Sequence, residues 1–304
     1  MKNKRGNIVA SIQQRLINLS KARGEDPNLV FIQYAIERLL YRLSCSKHSN
    51  HFILKGAILL AAWAGKTHRP TKDLDLLGFG DASAAALRAI FCEICNVTFD
   101  PDGMTFNPDS IQLTEIREEL EYPGQRMKLE SRLGNVRINI QIDIGFADSI
   151  VPAPIEIDYP TLLDMPSPHI RAYPLETVVA EKLETIVSKG ILNSRMKDFY
   201  DLRVLAKEFR FEGNNLAQAI IATFTRRGTR IPRESPAAFM EEFYEDSEKQ
   251  GQWQAFLRTS KLEKMDLNLS AIVADIQRFL MPPLIAAADD KPFLKNWSAG
   301  GPWK

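Results

Sequence analysis

Val136-Arg-Ile-Asn-Ile-Gln-Ile-Asp-Ile-Gly-Phe146 decides the class of fold. Val136, Ile138, Ile140, Ile142 and Ile144 take one face, and Arg137, Asn139, Gln141 and Asp143 take the other. Successive side chains of a strand point to opposite faces, so this alternation predicts a strand with one face on a core and one face open. Just upstream, Leu133-Gly-Asn-Val136 has the chemistry of a two-residue hairpin turn between this strand and an extended run at Gln125–Leu133. Ile111–Leu120 is a third extended segment.

Working outward toward the N-terminus, residues 8–23 and 28–47 read as amphipathic helices, with Pro27 at the start of the second. His51–Lys55 reads as a short apolar strand. Gly56 then opens an Ala/Leu-rich helix that runs to about Ala64, and Gly65–Thr71 is a loop. Asp73–Leu77 is another strand, stopped at Gly78, and a helix from Ala82 to Cys95 leads into Val97–Phe99. Toward the C-terminus, Pro152, Pro154, Pro160, Pro166 and Pro168 exclude a continuous helix over 151–168, which reads as a linker or an extended arm. From Pro174 onward the pattern turns helical, at 175–189, 196–209, 214–224, 237–247 and 268–281. The tail after Pro283 is weakly patterned and is expected to dock loosely or fray. The expectation is an α+β fold: N-terminal helices (1–50), a mixed-sheet core (51–170) and a C-terminal helical domain (171–304) that completes the site.

Composition narrows the classes. The 304 residues are 45% hydrophobic and 25% charged with a net charge of +1, so global charge selects neither a nucleic-acid nor a membrane partner. Local charge is more pointed. The N-terminal arm carries Lys2, Lys4, Arg5, Arg15, Lys21 and Arg23 before its first acid, and Arg226, Arg227, Arg230 and Arg233 form a second basic cluster. No apolar run approaches the roughly 20 residues that a membrane helix needs, so no membrane is expected. Cys92 and Cys95 fall near the apolar side of one helix. His48, His51, His68 and His169 show no ligand spacing, so these groups read as core thiols and unligated imidazoles. With three cysteines and no export segment read, a reducing cytoplasm is the expected compartment.

The chemistry concentrates on acids. Asp73 and Asp75 stand two apart on a strand, so both carboxylates share one face. Two carboxylates gathered there are costly without a cation between them, and Mg²⁺ accepts one or two carboxylates together with phosphate oxygens. Standing alone, an Asp-x-Asp more often marks a strand end facing water than a metal site. Its context points to phosphate: Gly56 sits at a strand-to-helix turn 17 positions earlier, where backbone N–H groups can approach phosphate oxygens. Arg69, Thr71 and Lys72 precede the pair as donors. Asp143, on the polar face of its strand, reads equally as a solvated position or as a third carboxylate, and such a triad can hold two metal ions.

Phe52-Ile-Leu-Lys-Gly-Ala57 and Arg69-Pro-Thr-Lys-Asp-Leu-Asp75 together resemble the first motif of the polymerase-β-like nucleotidyltransferase superfamily. Tyr173-Pro-Leu-Glu-Thr-Val-Val-Ala-Glu-Lys-Leu-Glu184 and Asn193-Ser-Arg-Met-Lys-Asp-Phe-Tyr-Asp-Leu202 are similar to the two helical signatures of the AbiEii/AbiGii toxin family, which includes the MenT nucleotidyltransferases. The resemblance spans about residues 50 to 210. It implies Asp73, Asp75 and Asp143 as ligands for Mg²⁺, with two ions possible. It implies Lys182 and Asp198 as further catalytic residues, and Lys55, Gly56, Ala57, Arg69, Thr71, Lys182, Lys197 and Asp201 as nucleotide-binding ones. It also implies an NTP substrate, the tRNA 3′ end as acceptor and a cognate antitoxin. The chemistry expected is in-line attack on the α-phosphate with Asp143 taking the hydroxyl proton, and the chain is expected to be a monomer. The basic arm and the Arg226–Arg233 cluster would then meet RNA. One departure is Gly56-Ala57, where the superfamily commonly has Gly-Gly or Gly-Ser. Ala57 keeps its backbone N–H but has no hydroxyl. Read from the residues alone, Lys182 and Asp201 also fit exposed helix charges, with Arg195 or Arg203 as partners for Asp201. Two other functions fit the same residues: a protein-modifying NMP-transferase or phosphotransferase, and a nucleotide- or partner-binding module without chemistry.

Overall fold

A computed structural model describes residues 2–65, 68–116, 124–263 and 268–304. The chain divides into two units: 1–65, 70–147 and 155–172 form the first, and 66–69, 148–154 and 173–304 form the second.

The first unit contains α1 (Lys2–Arg23), α2 (Pro27–Ser44), β1 (Phe52–Lys55), α3 (Ile58–Ala64), β2 (Asp73–Gly78), α4 (Ala84–Cys95), β3 (Met104–Ile116), β4 (Gly124–Leu133), β5 (Val136–Phe146), β6 (Ile155–Asp158) and β7 (His169–Ala172). Helix starts follow capping chemistry. Asp26 accepts the Asn28 N–H at 2.9 Å ahead of Pro27, and Ser83 accepts the Ala86 N–H at 3.3 Å. Among the described residues the sheet has seven strands in the order β3-β4-β5-β2-β1-β7-β6. The hairpin between β4 and β5 turns at Gly134, whose φ of +60° suits the first central position of a primed turn.

Alternation then sorts the sheet. Leu54, Leu74, Leu76, Met127, Leu129, Ile140, Ile142 and Ile144 are all buried. They line the face against which α2 packs at β5 and β7, while α4 packs against α2 and β3. Phe91 of α4 meets Phe52 edge-on at 5.5 Å. The other face carries the acids.

Residues 151–168 are more than a linker. They supply β6, an outer strand of the sheet antiparallel to β7, and an arm pinned to α2. Glu37 accepts the Leu162 N–H at 2.7 Å, and Arg38 donates to the Pro166 carbonyl at 2.9 Å. Glu37 and Arg38 also pair at 2.9 Å while almost wholly buried. Burial pushes the Glu37 carboxyl up to about 7 despite that pairing. The strands were hidden in the sequence because four residues between prolines carry too little alternation to show. Likewise β3 begins at Met104, earlier than the expected Ile111. The expected end of that strand at Leu120 lies outside the described residues, as do the side chains of Lys2, Lys4 and Arg5.

The second unit is a helical bundle: α5 (Leu175–Lys189), α6 (Met196–Glu208), β8 (Phe211–Glu212), α7 (Gly213–Arg226), α8 (Glu241–Tyr244), α9 (Ser247–Thr259), α10 (Leu269–Ala288) and β9 (Asn296–Trp297). The helix expected over 237–247 is instead a 3₁₀ turn at Ala237–Phe239, the single turn α8 and then the start of α9. Asp246 caps α9 by accepting the Lys249 N–H at 2.9 Å, which sets a new helix start inside the expected one.

Two further expectations are corrected at the C-terminus. Helix α10 runs through Pro282 and Pro283 for 20 residues, long and apolar enough by length and composition to cross a membrane. Its apolar side (Ile272, Ile276, Phe279, Leu280, Leu284) is buried, and it packs on α6, α7 and α8. Its Asp275 pairs with Arg203 at 2.9 Å, so it reads as the core helix of this bundle. Nor does the tail fray. β9 pairs with β8, and the Trp297 indole donates to the Ala206 carbonyl at 2.7 Å. The Trp303 indole donates to Phe279 at 2.9 Å and stacks on its ring. Aromatic burial holds this segment without any periodic pattern.

Candidate active site

In the first unit, register assembles a row of charges. Lys55 of β1 lies opposite Asp75 of β2, Asp75 lies beside Asp143 of β5, and Asp143 lies opposite Arg126 of β4. Residues directly paired across strands share a face, so the row reads Lys55, Asp75, Asp143, Arg126. Asp73, two residues before Asp75, is on the same face opposite Gln141 and is exposed, while Asp75 and Asp143 are half-buried.

Two local features fix the carboxylates. Gly56 has φ +80°, and a Cβ there would stand 2.0 Å from Asp75 Oδ2 and 2.7 Å from its Cγ. Glycine is therefore required both by the backbone and by the carboxyl lying against it. Arg126 donates Nε to Asp143 Oδ1 at 2.8 Å and Nη2 to Oδ2 at 2.7 Å, a bidentate pair. That hydrogen-bonded carboxylate raises the Arg126 pKa, with Asp73 and Asp75 adding to the effect. Helix α3 adds little to anion binding: it is seven residues long, and Ala57 provides no side-chain cap.

The chemistry of these donors suits Mg²⁺. Asp73 and Asp75 are hard oxygen donors on one strand face, and Mg²⁺ takes one or two carboxylates and completes its shell with water and phosphate oxygens. Asp143, on the same face, is paired with Arg126 through both oxygens. Among the described residues, no three His, Cys, Asp or Glu side chains are gathered as a metal cluster.

The second unit holds a second constellation. Lys182 of α5 donates to Asp198 Oδ1 at 2.8 Å and to Asp201 Oδ2 at 2.7 Å on α6. Arg195 donates to Asp198 Oδ2 at 2.7 Å, and Arg69 grips both oxygens of Asp201 at 2.7 and 2.8 Å. His68 and Arg69 are bound to α6 at three points: Arg69 to Asp201, Tyr200 Oη to the His68 carbonyl at 3.1 Å, and His68 to Glu208 at 3.1 Å. Asp201 is fully buried. Its partners are Lys182 and Arg69, whereas Arg203 pairs with Asp275 and Arg195 with Asp198. An exposed helix charge is thereby excluded for Lys182 and Asp201 alike.

Burial alone would raise both carboxyls. Lys182 and Arg195 instead hold Asp198 well below the usual carboxylate range, and Lys182 and Arg69 hold Asp201 down. Burial pulls the Lys182 ammonium toward neutrality, but the two acids outweigh it and its pKa ends above the ordinary lysine value. Lys197, beside this group, is lowered by desolvation and then by its cationic neighbours, Arg195 first.

Thr71 is half-buried and Lys72 is exposed. The Arg226–Arg233 cluster is partly spent within the fold. Arg227 donates to Glu184 at 2.8 Å and lies within 3.7 Å of Glu181 and Asp148, and these acids raise its pKa against burial. Arg233 pairs with Asp289 at 3.1 Å. Sequence reasoning passed over Arg126, yet the signal was present: a two-residue turn at Gly134-Asn135 fixes the pairing that sets Arg126 against Asp143.

The sequence matches the family described as "Nucleotidyl transferase AbiEii toxin, Type IV TA system" over residues 38–282. No curated protein matches it. Two solved structures from Helicobacter pylori are similar. JHP933 has 12% identity and a TM-score of 0.48, covering 87% of this chain and 94% of that one. A candidate nucleotidyltransferase has 13% identity and a TM-score of 0.46, covering 87% and 96%. At that level of likeness neither contributes to the assignment. The mixed sheet with its paired aspartates, the bundle with its Ala-Glu-Lys and Lys-Asp-Phe-Tyr-Asp helices and the match over most of the sequence agree: the chain belongs to the AbiEii family of nucleotidyltransferase toxins of type IV toxin–antitoxin systems.

Proposed function

We propose that this chain transfers a nucleoside monophosphate from an NTP to a hydroxyl of the tRNA 3′ end. The observation that carries the reading is the carboxylate row on the polar sheet face of the first unit, with Gly56 shaped to the Asp75 carboxyl. The family itself implies nucleotide-transfer chemistry on an NTP, usually with a divalent metal, and a cognate antitoxin.

In the reaction the acceptor oxygen forms a bond to the α-phosphorus, the bond from that phosphorus to the bridging oxygen breaks, and pyrophosphate leaves. Asp73 and Asp75 would hold Mg²⁺, with Asp143 a third ligand and a second ion possible. When bound, Mg²⁺ supplies Lewis-acid stabilisation of charge on the phosphoryl group and on pyrophosphate. Asp143 takes the acceptor proton. Lys55 sits beside this carboxylate face, where its ammonium offsets phosphate charge.

In the second unit, Arg69, Lys182, Arg195 and Lys197 gather around Asp198 and Asp201, so among the described residues cations outnumber acids there. Such a group suits phosphate, and we assign Lys182, Lys197 and Arg69 to phosphate contact. Asp198 and Asp201 fix the Lys182 ammonium in place. The backbone of Gly56 and Ala57, together with Thr71, completes the nucleotide contacts. We assign RNA contact to the basic arm and to Arg226 and Arg230, without Arg227. With Cys45, Cys92 and Cys95 unbridged, the reducing cytoplasm is the compartment we assign.

The acceptor is tested by incubating the protein with Mg²⁺, α-phosphate-labelled NTPs, total tRNA and cell protein. Label entering tRNA, with RNA binding that weakens steeply with salt, is the expected result. Label entering protein instead would overturn the tRNA assignment and establish a protein-modifying transferase.

A further inference from the structure

Arg126 stands outside every motif of the active site, yet it is the residue that touches Asp143. Asp75 and Asp143 are adjacent across two parallel strands on one face, where like charges repel. The structure offsets them from both ends, with Lys55 in register at one and Arg126 at the other. Arg126 donates to both Asp143 oxygens, at 2.8 and 2.7 Å. A bidentate guanidinium takes a lone pair on each carboxylate oxygen, so a divalent cation and Arg126 draw on the same two oxygens.

We propose that Arg126 is a positioning residue that competes with the divalent metal for Asp143. It holds the carboxylate in place in the metal-free protein and gives it up when the metal binds. The inference rests on the reading that Asp73 and Asp75 hold a metal.

Three observations support an exchange rather than a permanent structural pair. First, the pair is open to water: the side chains of Arg126 and Asp143 are 41% and 21% exposed. Ion pairs this exposed are weak, so releasing one is inexpensive. The second unit offers the contrast, since the carboxylates of Asp198 and Asp201 are at most 2% exposed and gripped on two sides. Second, Arg126 feels Asp73 and Asp75 as well as Asp143, so a divalent cation placed among these acids would repel it. Third, the guanidinium keeps its charge at any working pH. It therefore leaves Asp143 by moving rather than by losing a proton, and a released Arg126 remains a cation able to meet phosphate.

The competition predicts that removing Arg126 tightens metal binding. Mn²⁺ serves as the probe, titrated against the protein without nucleotide and read by water-proton relaxation or calorimetry. Wild type, Arg126→Gln and Arg126→Lys are compared, each also in an Asp143→Asn background, with Asp73→Asn and Asp75→Asn as controls. We expect Arg126→Gln to bind Mn²⁺ up to about fivefold more tightly, the upper worth of one exposed charge pair. Arg126→Lys, which keeps the charge but loses the bidentate grip, should fall between and covers the case in which the glutamine variant does not fold. In the Asp143→Asn background the gain should vanish. If Mn²⁺ binding needs Asp75 but is the same in wild type and both Arg126 variants, the proposal falls and the metal reading stands. A gain that persists in Asp143→Asn also overturns the proposal, because it reports general charge and not competition for that carboxylate. If Asp73→Asn and Asp75→Asn bind Mn²⁺ as wild type does, the metal reading falls and takes the proposal with it.

Discussion

Replacing Gly56 with alanine puts a methyl group where the Asp75 carboxyl already lies. Its Cβ would stand 2.0 Å from Asp75 Oδ2, whereas ordinary contact begins at 3.4 Å, so the carboxyl must retreat by about 1.4 Å. The backbone adds its own cost. At φ +80° an L side chain is strained by about 1–2 kcal/mol, and forced overpacking adds about 1–3 kcal/mol. Stability should therefore fall by about 2–5 kcal/mol, read from urea denaturation midpoints. Transfer should fall further than stability implies. A displacement near 1 Å in a reacting group costs about 100-fold, and here the displaced group is the proposed metal ligand. Gly24→Ala separates the two causes, because Gly24 also has positive φ (+64°) but nothing within 4 Å of an added Cβ. It should lose only the backbone strain, about 1–2 kcal/mol, and keep its transfer rate. A folded Gly56→Ala enzyme working within about threefold of wild type would refute the reasoning, as would an equal loss of rate in Gly24→Ala.

Lys182→Met leaves Asp198 and Asp201 buried with one arginine each, which should cost about 2–3 kcal/mol in urea denaturation, less than for a fully orphaned buried charge; a change under about 0.5 kcal/mol would contradict the buried network. Glu37 has its folded pKa raised from 4.5 to about 7, so it holds its proton longer in the folded state, and stability should decline as pH rises through that window by up to about 3 kcal/mol. Denaturation midpoints across that range should show the slope in wild type and not in Glu37→Gln. Trp297→Ala should lose about 3 kcal/mol by emptying the aromatic cluster around Phe279, and a neutral result would mean that the C-terminal segment is loosely docked after all.

The parts of this protein most legible in the sequence are those whose periodicity is long. The five apolar positions of β5 and the Gly134-Asn135 turn define the hairpin, and the 15 residues of α5 are bounded by Pro174 and Gly190. Short strands escaped. β6 and β7 are four residues each and take their identity from pairing with one another and with β1. The tail escaped for a related reason: Trp297 and Trp303 anchor it through two indole hydrogen bonds and ring stacking, which leave no repeat to read.

In the site, i,i+2 spacing put Asp73 and Asp75 together, and hairpin arithmetic contained the Arg126–Asp143 pairing. Nothing local could reveal that β2 runs parallel beside β5 with Asp75 against Asp143, since those residues are 68 apart. The same holds for Arg69, whose partner Asp201 lies 132 positions away. Motif resemblance reached these residues where periodicity did not.

The central claim is that the β2 carboxylates carry nucleotidyl transfer. Its most direct test is the initial rate of label transfer from α-phosphate-labelled NTP in Mg²⁺, with wild type, Asp73→Ala and Asp75→Ala compared after each variant is shown to be folded. The account predicts transfer by wild type and a loss of about 1,000-fold or more in both variants. Transfer at the wild-type rate by a folded Asp75→Ala enzyme would contradict it.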